Sequence, residues 1–180
     1  MFVIGFFKKL GFTLASSIFL ARKMVSFLDF QNAKHIVELG AGNGVVTAEI
    51  IKRKSENTKF DIFEIDEEQV QSLRERFGNM TWVTIYSTSA AHMDEMYVNG
   101  SIDAIISTLP LGSISAPWVD HILRSIFSSL KIEGQYIQYQ YWMANRKDVK
   151  KYFTIDSTVL EPRNFGPAWI YRARKTRNIL

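Results

Sequence analysis

Two carboxylates bracket a glycine loop in this chain: Glu38 precedes Gly40-Ala41-Gly42-Asn43-Gly44, and Glu64 lies twenty residues beyond Gly44. Glycines at alternate positions bring backbone amides close to a ligand, because no Cβ stands in the way. A carboxylate closing the next strand can accept both hydroxyls of a ribose, so the pattern points to a nucleoside-containing ligand. Val45 stands where a dinucleotide loop would carry its third glycine, which disfavours a pyrophosphate site. No Gly-Lys-Ser/Thr follows, so a P-loop is excluded. The chain has no Cys and three scattered His, which excludes a thiol nucleophile and leaves no expected metal site. His92 is a possible proton acceptor and receives no role.

These residues need a scaffold that brings two strand ends together. The apolar runs His35–Leu39, Lys59–Phe63, Trp82–Tyr86 and Ile102–Ser107 read as strands, and Gln135–Tyr141 as a longer one. Helices are expected over Leu14–Leu28, from the glycine loop to Lys54, over Glu67–Phe77 and over Ser115–Leu130. The tail reads as a short basic helix at Asn145–Lys151, then strands Phe153–Leu160 and Trp169–Arg174 with no helix between them, hence antiparallel. The alternation predicts an α/β fold with one doubly wound, mostly parallel sheet. N-terminal helices are expected over residues 1–30 and the core over 31–180, with no repeat and no linker.

At 180 residues, 47% hydrophobic and 22% charged, the chain suits one domain. Its net charge of +4 is unevenly placed: +4 over residues 1–34, −6 over 35–144 and +6 over 145–180. An anionic partner would therefore meet the termini, although basic ends are also what a solvated surface shows. Phe2, Phe6, Phe7 and Leu10 fall on one side of a short helix bordered by Lys8 and Lys9. That helix either lies on an anionic membrane surface or packs its rings on the core. The apolar run Leu10–Ala21 is too short to cross a bilayer, and the positive charge falls inside the apolar stretch and not before it as in a leader, so a cytoplasmic chain is expected.

Val37-Glu38-Leu39-Gly40-Ala41-Gly42-Asn43-Gly44 resembles the first motif of S-adenosylmethionine-dependent methyltransferases with a seven-stranded sheet, and Ile62-Phe63-Glu64-Ile65-Asp66 their second. Ala15-Ser16-Ser17 with Leu20-Ala21, Ser107-Thr108-Leu109-Pro110-Leu111, Gln138-Tyr139-Gln140-Tyr141 and Asn164-Phe165-Gly166-Pro167-Ala168 with Tyr171-Arg172 narrow the resemblance. They are similar to bacterial phospholipid N-methyltransferases, relatives of ribosomal RNA adenine dimethylases. The resemblance implies a Rossmann-like fold and S-adenosyl-L-methionine as cofactor, leaving as S-adenosyl-L-homocysteine. It implies that Glu64 holds the ribose, Ile65 packs on the adenine, and Ser89 and Ala90 meet its edge. Glu38 and Gly40 would lie near the methionine portion, with Ser17, Gly42 and Gly44 completing the cofactor site. Ser89 replaces the usual Asp, Thr108 replaces a Gly beside the reacting centre, and Gly166 replaces a Pro.

The fourth motif separates acceptors. Adenine-methylating enzymes place Asn or Asp before a proline and then an aromatic ring, to bond the amine and stack the base. Thr108-Leu109-Pro110-Leu111 has neither, which disfavours nucleic acid and suits an aliphatic amine. Thr108 and Leu109 carbonyls could orient that amine beside Pro110, and Tyr139, Tyr141 and Trp142 could attract the methylated ammonium or simply pack the strand. The reading is an enzyme, acting as a monomer on phosphatidylethanolamine or a similar amino lipid, peripheral to the inner membrane face through its basic ends. A nucleic-acid methyltransferase, a soluble small-amine methyltransferase and an inactive cofactor-binding relative are the alternatives.

Overall fold

The computed structural model describes residues 16–55, 57–141, 143–164 and 166–176. The aromatic helix expected around Phe2–Leu10 and the ring of Trp142 lie outside them.

The first described helix, α1 (Ile18–Val25), starts where Ser17 Oγ accepts the Leu20 N–H at 3.1 Å, satisfying a free amide of the first turn. Its stripe of Leu20, Ala21, Met24 and Val25 is fully buried. Burial of each large apolar side chain contributes about 1.5–3 kcal/mol relative to exposure. Strand β1 (His35–Leu39) leads through the glycine loop into α2 (Val45–Ile51), which ends three residues short of the expected Lys54. Next come β2 (Lys59–Glu64) and α3 (Glu67–Phe77), whose Asp66 carboxylate caps the Glu68 and Gln69 amides. Strand β3 (Val83–Ser87) is followed by a turn of 3-10 helix at Ala90–His92 and by α4 (Met93–Met96), two short elements that sequence periodicity does not reveal.

Strand β4 (Ile102–Ser107), α5 (Ala116–Ser129) and β5 (Leu130–Gln140) complete the parallel part. β5 begins earlier than expected because it carries an irregularity: partners jump from Ile102↔Leu130 to Ala104↔Gln135, with Glu133 in the left-handed region at φ 62°. A short α6 (Arg146–Tyr152) then leads to β6 (Thr154–Glu161) and β7 (Ala168–Arg174).

The seven described strands lie in the order β3-β2-β1-β4-β5-β7-β6. The first five pair in parallel, and β7 runs antiparallel to both β5 and β6. The expected antiparallel pair is present, with β7 inserted between β5 and β6. One apolar layer joins α1, α2 and α3 to one face of the sheet. The other joins α4, α5 and α6 to the opposite face. Strand order reverses between β1 and β4, so a crevice opens at the carboxyl ends of those strands, above Leu39 and Ser107.

Candidate active site

The glycine loop occupies that crevice. Gly40, Gly42 and Gly44 have φ of 75°, 52° and 74°, a region that side chains disfavour. Their surroundings differ. A Cβ at Gly44 would meet Leu73 Cδ2 at 2.9 Å and Phe77 Cε2 at 3.1 Å, so this glycine lets α3 approach the loop. A Cβ at Gly42 would meet nothing within 4 Å, so the backbone there faces open space. The Gly42 N–H donates to Glu64 Oε2 at 2.7 Å, while Glu64 Oε1 accepts the Ile65 and Asp66 amides at 2.7 and 3.0 Å. Three amides thus hold the carboxylate at the tip of β2, beside the loop. The adjoining Ile65 side chain is 64% exposed, an apolar surface available to a flat ring.

A cleft of about 90 Å³ lies over the loop, lined by Gly40, Gly42, Asn43, Thr108, Tyr139 and Ser16 among others. It lies between the entrance to α1, the glycine loop and the ends of β4 and β5. Behind it, Glu38 is fully buried, and its Oε2 accepts the Thr47 hydroxyl at 2.7 Å. Glu38 Oε1 is buried without a partner. Burial pushes the Glu38 carboxyl from the ordinary 4.5 up to about 8, opposed by the Thr47 hydrogen bond and reinforced by the charge of Glu64. An unpartnered acidic oxygen behind an open glycine loop fits a ligand that carries a cationic or hydrogen-bond-donating end. Thr47 has a sequence signal only in hindsight: it lies in the first turn of α2, three residues past Gly44, and faces back onto β1.

Thr108 enters the site on a short backbone lock. Its N–H donates to the Leu39 carbonyl at 2.9 Å, and its hydroxyl donates to the Gly40 carbonyl. A Cβ at Gly40 would come within 3.0 Å of Leu109 Cδ2, a tight contact added to the positive φ that already favours glycine there. The Leu109 carbonyl accepts Gln138 Nε2 at 3.0 Å, Gln140 Nε2 at 3.2 Å and the Leu111 N–H at 2.9 Å. A carbonyl has two lone pairs, so this oxygen is saturated and Leu109 positions the loop instead of offering itself to an amine. Gln138 is itself fixed, accepting the Tyr136 hydroxyl at 2.8 Å and donating to the Tyr139 carbonyl at 2.7 Å. Pro110 continues that loop into the 3-10 turn Leu111–Ser113.

The remaining expected residues are spread more widely. Ser17 borders the cleft through its neighbour Ser16, and its N–H donates to Asn164 Oδ1 at 2.8 Å. Asn164 Nδ2 donates to the Tyr141 hydroxyl at 3.1 Å. Tyr141 packs edge-on to Tyr139, with ring centroids 5.7 Å apart, and lies just past β5. Tyr139, and not Tyr141, lines the cleft. Ser89 Oγ accepts the Ala91 N–H at 3.2 Å and caps the 3-10 turn, while Ala90 is buried in the core. Neither lines the cleft; they follow β3, whose end lies beside Glu64 in the register Glu64↔Ser87. Among the described residues no cluster of His, Asp and Glu could hold a metal ion.

Residues 36–134 match the family described as methyltransferase domain. Over 95% of its length the chain is 29% identical to an ornithine lipid N-methyltransferase of Singulisphaera acidiphila, covering 93% of that protein. Over 112 residues it is 30% identical to phosphoethanolamine N-methyltransferase 1 of Zea mays; the match takes in 62% of this chain and only 22% of that longer protein. The fold superimposes on the N-methyltransferase NodS of Bradyrhizobium japonicum, solved with S-adenosyl-L-homocysteine, with a TM-score of 0.70 at 10% identity over 88% of each chain.

Proposed function

We propose, from the premise that this chain belongs to the methyltransferase domain family and uses S-adenosyl-L-methionine, that it methylates the amine of phosphatidylethanolamine or a similar amino lipid at a membrane surface. The observation that carries the reading is the pairing of an open Gly42 and its Glu64 partner with a substrate loop, Thr108-Leu109-Pro110-Leu111, that lacks a base-stacking ring. The similarity to an ornithine lipid enzyme over nearly the whole chain supports the lipid acceptor.

The bound cofactor supplies a sulfonium methyl group open to in-line displacement by an amine lone pair. Everything else falls to the protein. Glu64 binds the ribose diol, with its orientation set by the Gly42, Ile65 and Asp66 amides. Ile65 covers one face of the base, and Ser89 with Ala90 approach its edge. Glu38 accepts from the methionine end, while Gly40, Gly42, Gly44 and Ser17 shape the wall. The Thr108 carbonyl orients the acceptor amine, since the Leu109 carbonyl is already saturated. The ring of Tyr139, backed edge-on by Tyr141, attracts the methylated ammonium once it has formed by cation–π attraction. Alignment and exclusion of water carry the rate, so no nucleophilic side chain is needed. The amine must arrive neutral, because its lone pair is the nucleophile.

Membrane contact rests on the basic ends and on the aromatic residues Phe2, Phe6 and Phe7 beside Lys8 and Lys9. No described helix is long and apolar enough to cross a membrane. Incubation with methyl-labelled S-adenosylmethionine and mixed liposomes tests the activity: label is expected in the lipid fraction, and label in added RNA instead would reverse the acceptor assignment. Deleting Met1–Lys9 is expected to weaken sedimentation with anionic liposomes while leaving cofactor affinity unchanged; unaltered sedimentation would remove the N-terminal segment from membrane binding.

A further inference from the structure

Helix α1 is apolar on two sides. Its inward stripe of Leu20, Ala21, Met24 and Val25 is sealed in the core. A packed surface helix is expected to turn polar residues outward, yet Ile18 and Phe19 stand there 37% and 43% exposed. Phe19, Arg22, Lys23 and Ser26 recur at helical spacing and share that outward stripe. The head of the stripe is tied down by a distant loop. Ser17 Oγ donates to the Arg163 carbonyl at 2.7 Å, and the Arg163 guanidinium carbon lies 4.6 Å from the centroid of the Phe19 ring. Glu161 accepts Arg163 Nε and Nη2 at 2.9 and 3.1 Å, which fixes the guanidinium and leaves Nη1 outside the pair. Farther along, Arg22, Lys52 and Arg53 converge on one buried carboxylate, Glu49, at 3.7, 2.9 and 3.4 Å. The charge of Lys23 reaches Glu161, which Arg163 already pairs. Cations therefore outnumber the carboxylates they share on this face. The cleft opens at its head, since Ser16 lines the cleft and Ser17 caps α1.

We propose that the outward face of α1, with Arg163 stacked on Phe19, seats the folded domain on an anionic bilayer and holds the mouth of the cleft beside Ser16 at the lipid surface. Ile18 and Phe19 enter the boundary between headgroups and acyl chains, while Arg22, Lys23 and Arg163 meet lipid phosphates. Exposed apolar side chains flanked by cations match both layers of that surface at once. A nucleic acid would satisfy the cations but leave Ile18 in water, and Arg163 already covers one face of the Phe19 ring. The segment that precedes Ser16 in sequence carries the same combination, with Phe2, Phe6 and Phe7 beside Lys8 and Lys9. The α1 face differs from that segment in being preformed, so it sets the orientation of the cleft as well as the affinity.

This docking role rests on the amino-lipid reading above, and its test separates the two. The chain has no Cys, so Ile18→Cys or Val98→Cys in the full chain carries an environment-sensitive nitrobenzoxadiazole probe at one known position. Val98 is 80% exposed, precedes β4 at the end of the sheet opposite the cleft, and serves as the control. Vesicles of phosphatidylglycerol and phosphatidylcholine are expected to shift the Ile18 probe to the blue and brighten it severalfold, leaving the Val98 probe unchanged. Phe19→Ser is expected to weaken partition onto these vesicles at least about tenfold, the scale of one aromatic ring withdrawn from water. Arg22→Gln and Lys23→Gln are each expected to weaken it about fivefold. Calorimetry should show cofactor affinity unchanged in all three; should Phe19→Ser disturb the fold, the two charge variants read the same face. A silent Ile18 probe, equal responses at both positions, or unchanged partition in the charge variants overturns the proposal. A response to added RNA and not to vesicles assigns the face to nucleic acid and overturns it too. If the Ile18 probe responds and no lipid is methylated, the docking face stands and the acceptor reading alone fails. If lipid is methylated while the probe stays silent, the docking face alone fails.

Discussion

The Thr47 hydroxyl donates to Glu38 Oε2 at 2.7 Å, leaving a fully buried carboxylate with one partner and one bare oxygen. Because burial raises the folded-state value to about 8, the folded protein binds a proton that the unfolded chain releases near 4.5. The stability this confers is complete below about 4.5 and is lost as pH rises towards 8. Urea unfolding of the cofactor-free protein is expected to show that fall, on the order of several kcal/mol. Glu38→Gln, neutral at every pH, should flatten this part of the profile; an identical slope in the variant would show that other groups cause it.

Gly42 and Gly44 separate a binding role from a packing role. Alanine at either position incurs the left-handed backbone strain of about 1–2 kcal/mol. Gly42→Ala meets nothing, so thermal unfolding should shift by that strain alone, while calorimetry should show cofactor affinity reduced at least about tenfold. Gly44→Ala drives a methyl group into Leu73 and Phe77 and should lower the melting temperature further. Equal melting temperatures for the two variants would contradict this division.

Glu64→Ala removes the acceptor for three amides as well as the proposed ribose contact. Cofactor affinity measured by calorimetry should fall by about 10- to 100-fold, the worth of one or two charge-assisted hydrogen bonds. Undiminished affinity would move the ribose elsewhere.

Gln138→Leu strips a donor from the Leu109 and Tyr139 carbonyls and an acceptor from Tyr136. Unfolding should cost about 1–3 kcal/mol. Turnover should fall more than cofactor affinity does, because the substrate loop loosens while the glycine loop is untouched. Parallel losses of both would argue for general collapse of the site.

Much of this was readable along the chain. Local signals set the elements: Ser17 and Asp66 start helices because their side-chain oxygens reach amides two or three residues on, and the strands are short apolar runs. The glycine loop and Glu64 were legible because both are constraints on backbone and charge within one strand–helix–strand unit. The extent of β5 was not, since its irregularity at Glu133 depends on pairing with β4. Nor was the saturation of Leu109, whose partners Gln138 and Gln140 are about thirty residues away and arrive only when β5 joins the sheet.

The sequence by itself determined the class of fold, the nucleoside-directed loop and the kind of chemistry, because each depends on residue type at short spacing. Tertiary structure alone decided what each residue faces. It put Thr47 under Glu38, held Asn164 between Ser17 and Tyr141, and brought the Asn145 and Gln140 side-chain oxygens close to Gly112. Those relations join residues from separate elements, and their geometry follows from the sheet order and the packing of both layers, which no spacing along the chain encodes.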